Sequence, residues 1–347
     1  MLKLGLALDW GKPRIDINIP LLQRAEQLGF DAVWAAEAYG SDALTPLAYI
    51  AGHTQHLRLG TAVAQVAARA PAALAMAVAT LDQLAGGDRV ICGLGLSGPQ
   101  VVEGWYGQAW GKPTSKMRDY VSILRQVWQR EKPVSYGGET YQLPYQGEDA
   151  SGLGKALKSI LHTNPNIPVL LGTGSKAMVE LTAEIADGWL PFGFVPGMLP
   201  QYQNWLDNGF ARGNRRPENF QIQAGAQLLL TDDVKAGIDS LKPMIAMYVG
   251  GMGAKQKNFH KDLMVRRGFA DAAEAIQQAF LAGDMPAAIA AVPDDYVDDG
   301  ALIGSEARLR ERYRAWQDSG ATGLILHMVN AQSLEVIARI ADLPPRT

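Results

Sequence analysis

The chain has 347 residues, of which 48% are hydrophobic and 19% are charged, and its net charge is −3 at pH 7. This composition is typical of a globular protein with a large core and gives no reason to expect nucleic acid or a membrane as a partner. No apolar run could cross a bilayer and no signal peptide is evident, so a cytoplasmic enzyme is expected. The single cysteine, Cys92, excludes an internal disulfide, and its apolar surroundings predict a buried, inert thiol.

Short apolar runs alternate with segments of helical length along the whole chain. Six strands are predicted at 3–8, 32–36, 167–171, 188–192, 220–230 and 323–329, and two more begin at residues 58 and 89. Helices are predicted to end near residues 28, 84, 129, 186, 209 and 341, and a shorter one to begin near residue 46. A hairpin over 134–143 is predicted to turn at Gly137-Gly138.

Residues 58–98 form the clearest β-α-β unit. Two apolar strands flank an alanine-rich helix predicted over 71–84, which Pro71 begins and Gly86-Gly87 end. Both strands run into small residues at their C-terminal ends, the edge at which parallel α/β folds bind ligands. The rest of the chain is therefore interpreted as a scaffold for that edge.

Eight strands joined mostly by helices favour a closed (β/α)8 TIM barrel over an open sheet, which seldom needs so many strands. A long segment over 231–320 separates the seventh and eighth strands, and its pattern is largely helical with a glycine-rich piece at 250–254. No linker or repeat divides the chain. We therefore expect one domain, 1–347, with this segment as an insertion.

A loop of small residues, Gly172-Thr-Gly-Ser-Lys176, joins the fifth strand to a helix. Helix N-termini offer free N–H groups and a partial positive charge, which suit a phosphate. Thr173 and Ser175 would add hydroxyl donors and Lys176 a positive charge. An ordinary tight turn is the alternative, and the spacing is not that of a Walker loop.

The run Gly93-Leu-Gly95-Leu-Ser97-Gly98 superficially resembles a dinucleotide-binding motif, but no clear helix follows it. A backbone that lies flat against a ring is the better interpretation. Glu37 and Glu103 follow the second and fourth strands, where carboxylates could act as acids or bases. Solvated loop charge or helix capping is the alternative for each of them.

The five histidines show no metal-ligand spacing, so no metal is expected. Only His327 lies inside a predicted barrel strand, and a structural role is favoured over a catalytic one. Arg69 follows the third strand and would either clamp an anion or form a local salt bridge. A rim with small-residue loops and no hydrolytic constellation suits an organic cofactor that supplies the reactivity itself.

Several motifs resemble the luciferase-like flavin and deazaflavin oxidoreductases, with closer similarity to the branch that uses coenzyme F420. The resemblance covers nearly the whole chain and includes these segments: Arg58-Leu-Gly-Thr-Ala-Val, Arg69-Ala-Pro71, Thr80-Leu-Asp-Gln-Leu84, Gly93-Leu-Gly95 and Ala186-Asp-Gly-Trp189. A subgroup is suggested by residues 97–105, 248–254, 258–260 and 292–298. The resemblance implies a bacterial-luciferase-like barrel, usually a homodimer, that binds F420 at its C-terminal edge.

The resemblance also implies positions for the cofactor. A cis peptide bond between Ala62 and Val63 would back the deazaflavin ring, and the phosphate loop corresponds to Gly174 and Ser175, with Thr173 and Lys176 beside them. Gly95 and Ser97 would adjoin the ring.

The resemblance implies hydride transfer between carbon 5 of the deazaflavin and a small organic substrate, with a rim acid handling the accompanying proton. Glu37 and Glu103 are the candidates. Several relatives have histidine where this chain has Ala38, and sugar-phosphate dehydrogenases of the family have glutamate where it has Pro99. Four aromatic residues would wall the substrate pocket or serve in packing: Trp10, Tyr39, Trp105 and Tyr106.

Three alternatives stay open. The same fold could use FMN as a two-component monooxygenase, or it could bind the cofactor without turnover. An unrelated phosphate-binding barrel, such as an aldolase or isomerase, is the third, although no convincing strand-borne lysine for a Schiff base is present.

Overall fold

The computed structural model describes residues 2–9, 13–214, 217–252 and 258–346. Its strands are β1 Lys3–Ala7, β2 Ala32–Ala35, β3 Arg58–Thr61, β4 Ala64–Gln65, β5 Val90–Gly95, β6 Tyr136–Gly137, β7 Gln142–Leu143, β8 Val169–Thr173, β9 Gly188–Pro191, β10 Gln221–Leu230, β11 Ala301–Gly304 and β12 Gly323–His327. Its helices are α1 Ile19–Gln27, α2 Leu44–Ala51, α3 Pro71–Leu84, α4 Pro99–Gly104, α5 Pro113–Gln129, α6 Lys176–Ile185, α7 Leu199–Arg212, α8 Val234–Gly251, α9 Phe259–Arg266, α10 Ala270–Leu281, α11 Met285–Ala290, α12 Asp294–Asp299, α13 Glu306–Gln317 and α14 Ala331–Ile340.

Eight parallel strands close into a barrel. Their order is β1, β2, β3, β5, β8, β9, β10 and β12, and β12 pairs again with β1. Gly5 illustrates the closure, because it pairs with Ala32 on one side and with Ile325 on the other. The predicted (β/α)8 TIM barrel is thus confirmed, and its eight strands correspond to the eight predicted ones.

The barrel interior is packed by a small apolar cluster that includes the Trp34 indole ring. Trp34 points inward from β2, and a Cβ at Gly5 would lie 2.6 Å from its Nε1 atom. A Cβ at Gly60 would collide with the same ring from the other side, so both flanking strands need glycine there. Trp34 also belongs to a buried cluster with Ile91 and Ile325. The barrel therefore has a solid floor beneath its C-terminal mouth.

The segment between β10 and β12 has a core of its own and is mostly helical, as its pattern predicts. Its buried apolar cluster includes Leu241, Met264 and Ile276. Sequence reasoning missed β11, which pairs in parallel with β10 outside the closed barrel. Four residues are too short a run to distinguish a strand from a helix by periodicity.

Two local expectations need correction, and the glycine-rich piece at 250–254 is described only in part. The glycine-rich piece begins inside α8, where a Cβ at Gly250 or Gly251 would collide with Phe280, while residues 253 and 254 lie outside the described ranges. Residues 99–104 form the short helix α4, although no helix is evident there in the sequence. The hairpin exists, but Gly137 pairs with Gln142, so the turn begins one residue later than predicted.

Candidate active site

The peptide bond between Ala62 and Val63, directly after β3, is cis, at the position that the resemblance implies. A Cβ at Gly95 would collide with the Val63 side chain, and one at Gly172 would lie 2.8 Å from Val63 Cγ1. Ala62 and Val63 also pack against the cluster that contains Trp34. The ends of β5 and β8 therefore need glycine beside Val63, and the structure brings these candidates together over the barrel floor.

The loop from Thr173 to Lys176 leads into α6, and no side chain of the loop caps the first backbone N–H groups of that helix. Ser175 precedes α6, its hydroxyl makes no capping hydrogen bond, and both Ser175 and Lys176 are exposed. A Cβ at Gly174 would meet no heavy atom within 4 Å. The first amides of α6 are thus available to an anion.

Thr173 differs from its neighbours in this loop. Its side chain is buried, and its hydroxyl lies 3.0 Å from the hydroxyl of Thr182 in α6. Its carbonyl oxygen accepts a hydrogen bond from Trp189 Nε1 at 2.9 Å. Thr173 therefore anchors the loop, and its hydroxyl is already used within the protein.

Arg266, at the end of α9, reaches this loop from the insertion. Its Nη1 atom donates to the Gly174 carbonyl oxygen and to the Tyr202 hydroxyl, both at 3.1 Å. Its guanidinium carbon lies 5.9 Å from the ring centroids of Tyr202 and of Trp205. No sequence signal places Arg266 here, because its contact with Gly174 spans 92 residues.

The Glu37 carboxylate is buried after β2 and is surrounded by N–H donors. Arg69 forms a bidentate pair with it, with Nη1–Oε2 and Nη2–Oε1 distances of 2.8 Å. The backbone amides of Gln65 and Ala43 also donate to it, at 2.8 and 3.4 Å. Of the two roles predicted for Arg69, the structure shows the local salt bridge. The pair ties the loop that follows the cis peptide bond to the end of β2.

Tyr106 and Tyr120 extend this arrangement. The Tyr106 hydroxyl donates to the Ala38 carbonyl oxygen at 3.2 Å, and burial raises the pKa of that hydroxyl. The Tyr120 hydroxyl donates to the Arg69 carbonyl oxygen at 2.9 Å. The phenols therefore brace the same loops, and both stay protonated at neutral pH.

Two of the remaining candidates, Glu103 and Trp105, are exposed. Glu103 lies on α4, and its Oε1 accepts a hydrogen bond from the Trp110 amide at 3.3 Å. Trp105 is 64% exposed at the end of α4. Ser97 follows β5 in the left-handed region, with φ +58°. Trp10 lies outside the described residues.

The corner between α8 and α9, residues 248–252 and 258–266, crosses over to the rim; we call it the roof. Met252 accepts a hydrogen bond from the Tyr39 hydroxyl, with Oη–Sδ 3.8 Å, next to β2. On the β9 side of the mouth, the Leu263 side chain of α9 packs against Gly193. A Cβ at Gly193 would collide with Leu263. Together with the Arg266 contact, these contacts tether the roof to loops on different sides of the mouth.

Asn258 fixes the geometry of the roof. It is 3% exposed, and its Nδ2 atom donates to the Tyr248 and Val249 carbonyl oxygens at the end of α8. Its Oδ1 atom accepts from the amides of His260 and Lys261 at the start of α9. One side chain thus caps both helices and sets the angle between them.

The His260 ring lies between two aromatic rings. Phe192, just after β9, meets it edge-on at a centroid distance of 4.6 Å, and Tyr248 of α8 lies at 4.6 Å on a tilted plane. Burial lowers the pKa of His260 to about 4, so the imidazole is neutral at pH 7. The roof therefore presents an uncharged hydrogen-bonding group among aromatic rings beside the mouth.

Acid is expected to destabilise the protein partly through His260. Its native pKa of about 4 lies below the ordinary value of about 6.5, so between these pH values the unfolded chain binds the extra proton. Between pH 7 and pH 5 this residue alone should cost about 2 kcal/mol of unfolding free energy. Urea denaturation at both pH values should show that His260→Phe loses about 2 kcal/mol less than the wild type over this interval. His260→Gln should behave likewise; equal losses in all three proteins would contradict the assignment.

His327 is the last residue of β12, two positions beyond Ile325 of the interior cluster, and so faces inward at the mouth. A Cβ at Gly225 would lie 3.5 Å from its Nε2 atom, which is an ordinary van der Waals contact. Burial lowers the pKa of His327, and the negative charge of Asp9 partly opposes this. Cys92 is fully buried in β5, and burial raises the pKa of its thiol to about 12.

The C-terminal mouth of this TIM barrel thus combines glycines around Val63, a loop with free helix N-terminal amides and a roof with aromatic rings. The family model for luciferase-like monooxygenases matches residues 5–323. A protein of Mycobacterium tuberculosis, provisionally named a coenzyme F420-dependent oxidoreductase, is 47% identical over 346 residues, which cover 99% of each chain. The chain therefore belongs to the luciferase-like monooxygenase family, in the branch that contains F420-dependent oxidoreductases, and it is an oxidoreductase.

Solved structures show the same fold at lower sequence identity. The coenzyme F420-dependent tetrahydromethanopterin reductase from Methanopyrus kandleri superimposes with a TM-score of 0.79 at 21% identity, over 99% of both chains. An F420-dependent secondary alcohol dehydrogenase in complex with an F420–acetone adduct superimposes with a TM-score of 0.75 at 15% identity, over 98% of both chains. The similarity extends over the insertion as well as the barrel. Separately, no helix in the described parts of the chain is long and apolar enough to cross a membrane.

Proposed function

We propose that this protein is an F420-dependent oxidoreductase that transfers a hydride between the deazaflavin C5 and a small organic substrate. The observation that carries the choice of F420 is the 47% identity, over the full length, with the Mycobacterium tuberculosis protein named for that coenzyme. The geometry of the rim supports the same choice, because it offers a place for a flat ring and a place for a phosphate.

The residues at the mouth fit such a cofactor. Gly95 and Gly172 keep the strand ends small around Val63, which suits a planar ring lying against the backbone. Gly174 faces open space at the start of α6, and Lys176 is exposed beside it. We assign the ring to the first group and the phosphate to the second, with Ala62, Ser97 and Ser175 beside them.

When bound, F420 supplies hydride chemistry at a ring carbon that replaces N5 of a flavin, and it reacts poorly with oxygen. The chain's part is to hold the substrate at near-attack distance and to limit water at the mouth. Tyr39, Tyr106 and the roof rings Tyr248 and Phe192 form the walls in this proposal. The His260 imidazole, neutral at pH 7, would hydrogen-bond a carbonyl or hydroxyl group of the substrate.

The two candidate acids differ in their surroundings. All four donors around Glu37 are N–H groups, so an added proton on the carboxyl group would displace one of them. We therefore propose Glu37 as a positioning residue. Glu103 is exposed on α4, and within the described residues its Oε1 atom alone accepts a backbone hydrogen bond, so its Oε2 atom is the proposed site of proton exchange.

To test the proposal, the purified protein is titrated with F420 and, separately, with FMN. Binding is measured by the quenching of tryptophan fluorescence. Tight F420 binding with weak FMN binding is expected, together with bleaching of the cofactor absorbance when a substrate from an enone, imine and alcohol panel is turned over. Binding of neither cofactor would reject the proposal and most of the site assignments.

The second candidate function is an FMN-dependent monooxygenase, which the description of the matching family favours. Tight FMN binding and oxygen consumption with reduced FMN would establish it in place of the F420 reaction. Firm F420 binding without turnover of any panel compound would instead support a protein that only binds the cofactor.

We also propose that the chain works as a homodimer in the cytoplasm. Exposed apolar side chains such as Leu153 and Ile160, which are 86% and 91% exposed, provide surface that association could cover. Sedimentation velocity should give a mass near twice the 37.4 kDa of one chain.

A further inference from the structure

Arg266 is held at the phosphate loop without a carboxylate partner. The neighbouring cations of α9 are paired, Lys261 with Glu274 and Arg267 with Asp299. Arg266 instead donates from Nη1 to two neutral oxygens, and in the described part of the chain it forms no ion pair. An arginine whose charge is left uncompensated at the entrance of a site is available to an anionic ligand.

The surroundings of Arg266 hold its guanidinium in place. The Tyr202 hydroxyl accepts from Nη1, and the rings of Tyr202 and Trp205 lie at distances suited to a cation–π contact. The bonds in the structure use Nη1 only, so Nε and Nη2 can still form the two-pronged contact that arginine makes with phosphate. The side chain is therefore ordered on one edge and open on the other.

Three sources of positive potential meet at Gly174. They are the free amides at the start of α6, the exposed Lys176 ammonium group and the Arg266 guanidinium group. Glu180 lies one turn further along α6, and Arg212 and Asn208 already engage its carboxylate. The potential favours an anion at the loop, and Arg266 is the contribution that comes from the insertion.

We propose that Arg266 clamps the phosphate group of the bound cofactor, so that the insertion closes the phosphate site as well as covering the substrate. The inference rests on the proposed function, because it assigns a further residue to the same cofactor site. It follows that the cofactor phosphate bridges the barrel loop at Gly174 and helix α9. Cofactor binding then fastens the roof on the side opposite Tyr39.

The test compares F420 with the phosphate-free riboside of the same deazaflavin ring, by tryptophan quenching at fixed ionic strength. Arg266→Met should weaken F420 binding about tenfold and riboside binding less than twofold, since charge-assisted bonds to phosphate are lost only for F420. The F420 affinity of Arg266→Lys should lie between those of the wild type and Arg266→Met. Lysine keeps the positive charge but cannot form the two-pronged contact. Lys261→Met is the matched control; it removes a cation of the same helix that faces Glu274 and should leave both affinities unchanged.

A second readout does not depend on F420. At matched ionic strength, inorganic phosphate should raise the Tm of the wild type more than that of Arg266→Met. Equal F420 affinities in the wild type and Arg266→Met would overturn the inference and leave the proposed function standing. An equal loss for F420 and the riboside would also overturn it, since it would indicate a displaced roof. If the wild type binds no F420, the proposed function fails, and equal phosphate effects on the two proteins would then reject the clamp as well.

Discussion

Glu37→Gln is expected to lower the free energy of unfolding by about 3 kcal/mol, because it breaks a mostly buried bidentate ion pair and leaves Arg69 with only Asp42, at 3.6 Å, as a charged partner. The amide is nearly the same size as the carboxylate, so lost packing does not contribute. Its NH2 group would face N–H donors, either from Arg69 and Gln65 or from Arg69 and Ala43. Urea denaturation at pH 7 measures the loss.

A double-mutant cycle separates the pair from other effects. Arg69→Met added to Glu37→Gln should recover about half of the loss, since the guanidinium group that has lost its bidentate partner is gone. A purely catalytic Glu37 predicts the opposite pattern, with stability unchanged and kcat reduced. An unfolding free energy within about 0.5 kcal/mol of the wild type would therefore contradict the positioning role.

Gly174→Val is expected to weaken F420 binding about 50-fold while changing stability by less than about 0.5 kcal/mol. The backbone at Gly174 has an ordinary φ, and a Cβ there meets nothing within 4 Å, so the fold itself does not require glycine. A ligand that approaches the backbone would require it, because the added methyl groups occupy the same space. Fluorescence titration and a thermal melt measure the two quantities.

Gly137→Val is the matched control for this change. Gly137 also has an ordinary φ and open space at its Cβ position, but it lies in the hairpin strand β6. Both variants should fold, and only Gly174→Val should lose affinity. Unchanged binding by Gly174→Val would place the phosphate somewhere other than this loop.

The barrel was predictable because each strand carries its own local signal. Apolar runs bounded by glycine, proline and capping residues mark all eight barrel strands, and Pro71 marks the start of α3 at the residue where the structure has it. The loop at Gly174 was predictable for the same reason, since a strand, small residues and a helix follow one another directly. A local sequence pattern is enough to predict a feature that is formed by residues adjacent in the chain.

The roof was not predictable from one sequence. Arg266 and His260 reach the mouth through the packing of the insertion against loops that precede them by tens of residues. The role of Glu37 was not predictable for the same reason. A carboxylate directly after a barrel strand suggests an acid at the rim, and only the structure shows that it pairs with Arg69. The buried Thr173 hydroxyl is a further case, since its partner Thr182 becomes evident only once α6 is placed. Periodicity gives the direction of a side chain within its element and says nothing of its distant partners.

The Trp34 indole, which lies between Gly5 and Gly60, limits the directions from which small molecules can reach the mouth of the barrel. Because Trp34 blocks the middle of the barrel, a deazaflavin ring placed against Val63, as we propose, would have one accessible face. Whatever reacts with that ring would then arrive from the side of the roof. Substrate, product, protons and dissolved oxygen would all use the same route, past the roof. Changes in the roof could therefore alter which molecules are admitted while the plugged barrel and its cofactor seat stay the same, which lets one scaffold diverge among many substrates.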